Sequence, residues 1–224
     1  MNTGTRSQVK QYVRHGLVTV NGAVAKSPDL KIDENRDQIC FQGKKLTYRK
    51  FFYYMLNKPQ GVVSATQDNT AKTVLDLLRQ EDRRGDLFPV GRLDKDTEGF
   101  LLLTNDGDLA HRLLTPKKHV DKTYLVTIDH ALSEEDVGSL EQGVDIGEEK
   151  PTLPGKVEIL EETKILLTIH EGKFHQVKRM LHAVGNEVTA LKRVSFGGLS
   201  LDEGLRPGEY RELTEGEVQI LHEA

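Results

Sequence analysis

A nine-residue loop holds the side chains best suited to chemistry. Residues 91–99 read Gly-Arg-Leu-Asp-Lys-Asp-Thr-Glu-Gly, so three carboxylates and two cations lie between two apolar segments. Apolar strands on both sides would hold such a loop rigidly, and a catalytic side chain needs rigid placement. Arg92 within reach would keep an aspartate ionised when a substrate excludes water. One interpretation is therefore a nucleophilic or acid–base aspartate beside an arginine.

Two other interpretations of this loop stay open. Charged loops are most often solvated turns with salt bridges. A calcium loop is the second alternative, since Asp94, Asp96, Glu98 and Gly99 match the first half of an EF-hand. Its twelfth position would hold Asn105 in place of a bidentate glutamate, which disfavours calcium.

Two later segments add candidate binding residues. Lys122-Thr123-Tyr124 begins an alternating segment and places an aromatic ring where it could stack on a base. Residues 171–180, Glu-Gly-Lys-Phe-His-Gln-Val-Lys-Arg-Met, run from a glycine turn into a predicted helix with Phe174 in the core. A helix N-terminus suits phosphate. The basic candidates beside it are Lys173, His175, Lys178 and Arg179.

The elements that must position these residues form a mixed pattern. A short helix is predicted over residues 7–15 with Ser7 as its cap, followed by an Asn21-Gly22 hairpin turn. A strand over 52–56 is expected to end in a Pro/Gly turn over 57–61, and Thr73 to cap a helix through Arg79. Because strands outnumber helices without regular alternation, the predicted fold class is α+β. Its central sheet is expected to be mixed and mainly antiparallel with flanking helices, behind a small N-terminal α/β module.

Charge is distributed unevenly along the 224 residues. Residues 1–50 hold ten lysines and arginines against four acidic residues, a net +6, and the remainder carries 21 against 31, a net −10. A basic head on an acidic body suggests a module that docks on a polyanion. No apolar run reaches the length of a membrane span, and Cys40 alone excludes an intramolecular disulfide or a thiolate zinc site. These features predict a cytoplasmic protein.

The motifs together resemble one enzyme family. The loop at 91–99, followed by Leu-Leu-Leu-Thr-Asn-Asp-Gly at 101–107, resembles the signature of the RsuA-type ribosomal RNA pseudouridine synthases. Lys122-Thr123-Tyr124 and residues 171–180 resemble its second and third motifs, in the expected order. Residues 3–47 resemble the S4-type RNA-binding module that precedes the catalytic domain in this family. The resemblance implies an S4-like domain over 1–47 and a pseudouridine synthase domain over 51–224.

The resemblance also implies roles for single residues. Asp94 would be the nucleophile that attacks the target uridine at the sugar C1′ or the base C6, and Tyr124 would lie against the flipped base. Lys178 would pair with the nucleophile, and Arg92 would help to hold the nucleotide out of the stack. No cofactor or metal is implied. Further RNA contacts are expected from Lys173, His175, Arg179, Arg6, Lys10 and Arg14.

The resemblance finally implies a substrate. Residues 52–61 resemble the small-subunit branch, which favours a uridine of 16S rRNA, either naked or in a small-subunit assembly intermediate, and a monomeric enzyme. The alternatives are a synthase acting on 23S rRNA, a non-catalytic rRNA-binding module on the same scaffold, and a metal-dependent hydrolase using Asp94 and Asp96. The family's S4 module usually opens with a helix beginning Arg-Leu-Asp-Lys. Since this chain starts Met1-Asn2-Thr3, that first helix is expected to be missing.

Overall fold

The computed structural model describes residues 4–34 and 36–224, which form two compact units with the boundary between Lys50 and Phe51. Met1, Asn2 and Thr3, on which the expectation of a missing first helix bears, lie outside the described residues. Within the described ranges, no helix is long and apolar enough to cross a membrane.

The first unit is a helix and a small antiparallel sheet. The helix, α1 (Arg6–Arg14), begins one residue earlier than predicted. Its cap is Thr5 in place of Ser7, and the Thr5 hydroxyl accepts from the Gln8 amide. The Gln8 side chain accepts from the Thr5 amide in return, completing a capping box that the prediction missed. The elements are α1 (Arg6–Arg14), β1 (Val18–Val20), β2 (Ala23–Val24), β3 (Ile39–Phe41) and β4 (Lys44–Leu46), with strand order β2-β1-β3-β4.

The hairpin between β1 and β2 forms where the sequence predicts it. Asn21 and Gly22 take φ of 50° and 83°, the left-handed region that a two-residue turn of this kind requires. The pairing of Thr19 with Val24 is antiparallel, which confirms the Asn-Gly prediction.

The second unit is built on one nine-stranded sheet. Its strands are β5 (Tyr53–Lys58), β6 (Phe88–Pro89), β7 (Glu98–Thr104), β8 (Lys122–Ile128), β9 (Lys156–Glu161), β10 (Lys164–Ile169), β11 (Val188–Phe196), β12 (Leu199–Ser200) and β13 (Tyr210–Glu212). Its helices are α2 (Gly107–Leu114), α3 (Glu134–Gln142), α4 (Gln176–Ala183) and α5 (Glu215–Glu223).

The sheet is mainly antiparallel. Its order is β13-β5-β7-β11-β8-β10-β9, with β6 pairing to β7 and β12 to β11. Only the β7–β11 pair is parallel among the described strands. The α+β prediction, with a mixed and mainly antiparallel sheet, is confirmed.

Both faces of the central strands are buried. Along β7, Leu101 and Leu103 enter one apolar cluster, and Phe100 and Leu102 enter a second cluster on the opposite face. Side chains of a strand alternate between faces, so a continuous apolar run marks a strand covered on both sides. The residues after Gly99 are therefore anchored on two sides.

Three local predictions were wrong. Strand β5 runs on to Lys58 instead of ending before residue 57, because Asn57 and Lys58 are buried with the strand. Thr73 precedes only a short 3-10 turn, Val74–Leu77, in place of a helix through Arg79. Phe174 was placed in the core as part of a helix, but α4 begins at Gln176 and the Phe174 side chain is 72% exposed.

Gly99 allows β7 and β11 to approach closely. Its φ is +104°, and a Cβ added there would lie 2.2 Å from the Arg193 carbonyl oxygen. A side chain at this position would push the parallel pair apart, so the glycine fixes how near β11 lies to the chemistry-bearing loop.

Candidate active site

A buried lysine holds the backbone of the loop that bears the carboxylates. Lys58 is fully buried, and its ammonium donates to the main-chain oxygens of Asp94 at 2.9 Å and Thr97 at 2.8 Å. Longer contacts reach the oxygens of Pro59 at 3.1 Å and Lys95 at 3.4 Å. Burial lowers the pKa of Lys58 to about 8, while nearby carboxylates, Asp94 first, act in the opposite direction. One side chain therefore fixes the backbone at Asp94 and in the turn that follows it.

A second contact holds the residue before Asp94. The Ser64 hydroxyl donates to the Leu93 carbonyl oxygen at 2.9 Å and accepts from the Leu93 amide at 3.0 Å. The Asp94 carbonyl oxygen also accepts from the Thr97 amide at 3.1 Å, which closes a tight turn. The loop is therefore held along its length.

Asp94 lies beside two basic side chains. One carboxylate oxygen is 3.5 Å from His175 Nε2, and the other is 3.8 Å from Lys178 Nζ. The Asp94 side chain is 30% exposed, at the edge of a cavity of about 190 Å³. Pockets for drug-sized ligands are larger, roughly 300–1,000 Å³, so this space suits a single small planar group.

The cavity brings together several of the predicted residues. Arg92, Asp94, Tyr124, Lys173 and His175 all line it. Tyr124 is buried on strand β8 and exposes part of its side chain to the same space as the Asp94 carboxylate. The three sequence motifs therefore meet at one cavity, although they are separated along the chain.

Lys178 is shared between two carboxylates. Its ammonium donates to both Asp96 oxygens, at 2.7 and 2.8 Å, and is more distant from Asp94. These hydrogen bonds hold the pKa of the Asp96 carboxyl below its usual range. Asp96 is thus occupied by an ammonium group, which weakens the calcium-loop and metal-hydrolase alternatives.

The His175 ring stacks on an exposed aromatic ring. His175 has a left-handed backbone (φ 48°) directly before α4, and its ring lies 3.8 Å from that of Phe174. The spacing of apolar residues predicted one continuous helix from Phe174. The left-handed backbone of His175 interrupts the helical conformation, so Phe174 points outward. The same turn directs the imidazole toward Asp94.

Two predicted RNA-binding residues are engaged within the protein. Lys173 Nζ donates to the main-chain oxygens of Lys150 at 2.9 Å and Pro151 at 3.1 Å. Arg179 pairs with Glu148 at 2.7 Å and donates to the Ile146 carbonyl oxygen. Both side chains fasten the segment before β9 to the start of α4. Arg6, Lys10 and Arg14 are exposed on α1, spaced four residues apart.

The sequence analysis assigned no role to three buried cations at or beside the site, although it named Lys122 within the second motif. Lys58 was predicted to lie in a turn. The sequence feature that could have pointed to it is a lysine followed by proline at the end of an apolar strand. Lys122 and Arg193 line the cavity, although each is at most 9% exposed, whereas Lys58 lies beneath the loop. Nothing in the sequence indicates that Arg193 is buried, because an arginine in a predicted strand is expected to face the solvent.

Comparisons with known proteins agree with this geometry. The profile of the RNA pseudouridylate synthase family matches residues 52–183, and the S4 domain profile matches residues 4–37. The chain belongs to the RNA pseudouridylate synthase family. An uncharacterized RNA pseudouridine synthase of Bacillus subtilis is 54% identical, over 98% of this chain and 94% of its own length.

Further relatives of this synthase family match nearly the whole chain. The ribosomal small subunit pseudouridine synthase A of Escherichia coli is 41% identical, over 96% of this chain and 93% of its own. A crystal structure of a pseudouridylate synthase is 42% identical with a TM-score of 0.73, covering 97% of this chain and 94% of that one. The resemblance drawn from the three motifs is confirmed, and the protein is an RNA pseudouridine synthase.

Proposed function

We propose that this synthase isomerises a uridine of 16S rRNA, with Asp94 as its nucleophile and the target base turned out of the RNA stack. The observation that carries the proposal is the Asp94 carboxylate at the edge of a base-sized cavity, held between His175 and Lys178. The backbone ties from Lys58 and Ser64 keep that carboxylate in place before substrate arrives.

The reaction needs a nucleophile but no outside energy source. Asp94 forms a bond to C1′ or to C6 of the uridine, and the C1′–N1 bond breaks. The base then rotates, C5 bonds to C1′, and the bond to Asp94 breaks. The proton lost from C5 balances the proton gained at N1. The carboxylate is regenerated, so the net change is an isomerisation.

Tyr124 and Arg92 act on the extruded nucleotide. Tyr124 presents its ring within the cavity, which supports stacking against the base. Arg92 is exposed at the cavity entrance, where a guanidinium can bind a phosphate and hold the nucleotide out of the helix. Unstacking costs a few kcal/mol, which these contacts offset.

The choice of 16S rRNA rests on the relatives and on the first unit. Three relatives at 41–43% identity are named ribosomal small subunit pseudouridine synthase A. The exposed basic residues of α1 support docking on RNA phosphates. Lys173 and Arg179 support this function by fixing the segment before β9.

Replacing the nucleophile tests the proposal. Asp94→Asn keeps the side-chain size, so we expect normal thermal unfolding but no pseudouridine in 16S rRNA, measured by mass spectrometry of nuclease digests. Asp108→Asn, an exposed acid on α2, is the matched control and should retain full activity. The wild type is assayed on 16S rRNA, 23S rRNA and a small-subunit assembly intermediate. Full activity of Asp94→Asn, or conversion of 23S rRNA alone, would contradict the proposal.

A further inference from the structure

Two residues that line the catalytic cavity carry buried polar atoms that the protein leaves without a hydrogen-bond partner. Four buried side-chain polar atoms lack a hydrogen-bond partner among the described residues, and two of them belong to cavity-lining residues. These two are Arg193 Nη2 and Thr97 Oγ1, on residues only 2% and 1% exposed. Buried polar groups are nearly always paired, so these two exceptions beside the cavity are candidate partners for a polar group of the substrate.

Arg193 is held in place by its other atoms. Its Nε donates to the Phe100 carbonyl oxygen at 2.8 Å, and the guanidinium carbon lies 4.9 Å from the centre of the Phe196 ring. Its backbone is fixed against Gly99 by the close parallel pairing of β7 and β11. The guanidinium is therefore rigid, with a free donor left over.

A second cation stands beside it. Lys122 Nζ donates to the Val120 carbonyl oxygen at 2.8 Å and lies 5.7 Å from the same Phe196 ring centre. Burial, together with the charge of Arg193, lowers the pKa of Lys122 to about 8, while Asp121 and Glu171 act in the opposite direction. Two neighbouring buried cations repel each other, which costs stability unless a negative charge arrives between them.

We propose that Lys122 and Arg193, with Thr97, form a site for the negative charge that develops on a uracil carbonyl oxygen during the reaction. This inference rests on the proposed isomerisation and extends it to the base. The free Arg193 donor and the Lys122 ammonium face the carbonyl oxygen, and the Thr97 hydroxyl binds a polar edge of the base.

Either route of attack creates this charge. When Asp94 bonds to C1′ and the C1′–N1 bond breaks, the electron pair stays with the base and spreads from N1 onto the carbonyl oxygens. When Asp94 bonds to C6, the pair of the C5–C6 double bond moves onto O4. Preorganised donors aimed at such a charge contribute more in a water-excluded site than in solution.

Because Arg193, Thr97 and Lys122 are buried, their ligand is expected to be the base and not the phosphate. Asp94 and Arg92 lie at the cavity entrance, whereas Arg193, Thr97 and Lys122 are almost fully buried. A flipped nucleotide remains joined to the RNA chain through its phosphates, which stay outside. The base is the part that enters farthest, so only its atoms reach the buried cations.

Removing either cation should slow chemistry and leave binding intact. For Arg193→Met and Lys122→Met, we expect the single-turnover rate to fall about 100-fold, as for loss of one donor to a reacting oxygen. The RNA Kd should stay within about twofold of the wild type. Arg193→Lys should recover part of the rate, and Lys192→Met, the next residue on β11, is the matched control. Should Arg193→Met fail to fold by circular dichroism, Lys122→Met carries the test.

A fluorinated substrate separates charge stabilisation from a structural role. Fluorine at C5 withdraws electrons and stabilises the anionic base by itself, so the defect of each variant should shrink severalfold when consumption of 5-fluorouridine in the RNA is followed. Equal rate defects on both substrates, or variant rates within twofold of the wild type, would overturn the inference.

The assay also separates failure of the two proposals. If the wild type leaves uridine unchanged, the proposed isomerisation fails and this inference fails with it. If the wild type reacts and the variants react equally fast, the inference alone fails.

Discussion

At the scale of single residues, the two carboxylates of the loop, Asp94 and Asp96, differ in how closely basic side chains approach them. The Asp94 oxygens lie 3.5 Å from His175 and 3.8 Å from Lys178, beyond the usual range of about 2.7–3.2 Å for a hydrogen bond. Asp96 instead receives the short contacts from Lys178. The Lys178 ammonium attracts Asp94 without a short hydrogen bond to it, which leaves the Asp94 oxygens free to form a bond.

Lys58 offers the sharpest residue-scale prediction. We expect Lys58→Met to reduce the rate of pseudouridine formation by about 100-fold, because the main-chain oxygens of Asp94 and Thr97 lose their shared donor and the Asp94 carboxylate shifts. Lys95→Met, an exposed lysine of the same loop, removes the same charge without these contacts. Single-turnover assays on 16S rRNA measure both, and equal rates for the two variants would refute the positioning role.

At the scale of elements, the edge of the sheet is fastened by an ionic cluster. Arg211 on β13 pairs with Glu217 on α5 through contacts of 2.7 and 2.9 Å, and with Asp202. Glu217 also accepts from the Thr214 amide that begins α5. Because β13 pairs with β5, this cluster supports the strand that ends in Lys58.

The stability of this cluster should depend on pH. The Arg211 hydrogen bonds lower the pKa of Glu217 to about 2 from 4.5. A carboxyl with a lowered pKa stabilises the folded state above pH 4.5 and loses that contribution as the pH falls toward 2. We expect Glu217→Gln to lower the free energy of unfolding by about 1–3 kcal/mol at pH 7, with the difference from wild type shrinking below pH 4.5.

Urea denaturation at pH 7, 4 and 3 provides the measurement. Glu215→Gln removes an exposed acid from the same first turn of α5 and should change stability by less than about 0.5 kcal/mol. A pH-independent difference between Glu217→Gln and wild type would contradict the assignment of the low pKa.

The elements also show what the sequence could predict. The Asn21-Gly22 hairpin and strand β8 follow from local patterns, and the motif order located Asp94 and Tyr124 at one site. Lys58 and Arg193 were missed because each donates to carbonyl groups far away in the sequence, which no local pattern records. Phe174 was misplaced because helical spacing cannot reveal a left-handed residue directly before the helix.

At the scale of the whole molecule, charge is divided between the two units. The first 50 residues carry a net +6 and the remaining 174 a net −10. The basic first unit is suited to phosphate contacts, which supply affinity for RNA, and the second unit contains the cavity for the chemistry.

This division predicts separable defects. Replacing Arg6, Lys10 and Arg14 together with alanine should weaken 16S rRNA binding and flatten the slope of log K against log salt by about 2–3, because up to three phosphate contacts are lost. The single-turnover rate at saturating RNA should stay within about twofold of the wild type. Exchanging the exposed neutral residues Ser7 and Gln11 on α1 for alanine controls for helix damage. An unchanged salt slope in the triple variant would argue against α1 as an RNA contact.

The position of β11 has a consequence for synthesis of the protein in the cell. Strands β7 and β8 are neighbours in sequence, yet they are separated in the sheet by β11, which ends at Phe196. A nascent chain still attached to the translating ribosome therefore lacks the middle of its sheet until that late segment has emerged from the exit tunnel. Asp94, in the loop before β7, and Tyr124, on β8, are therefore brought to the same cavity only after β11 has been made.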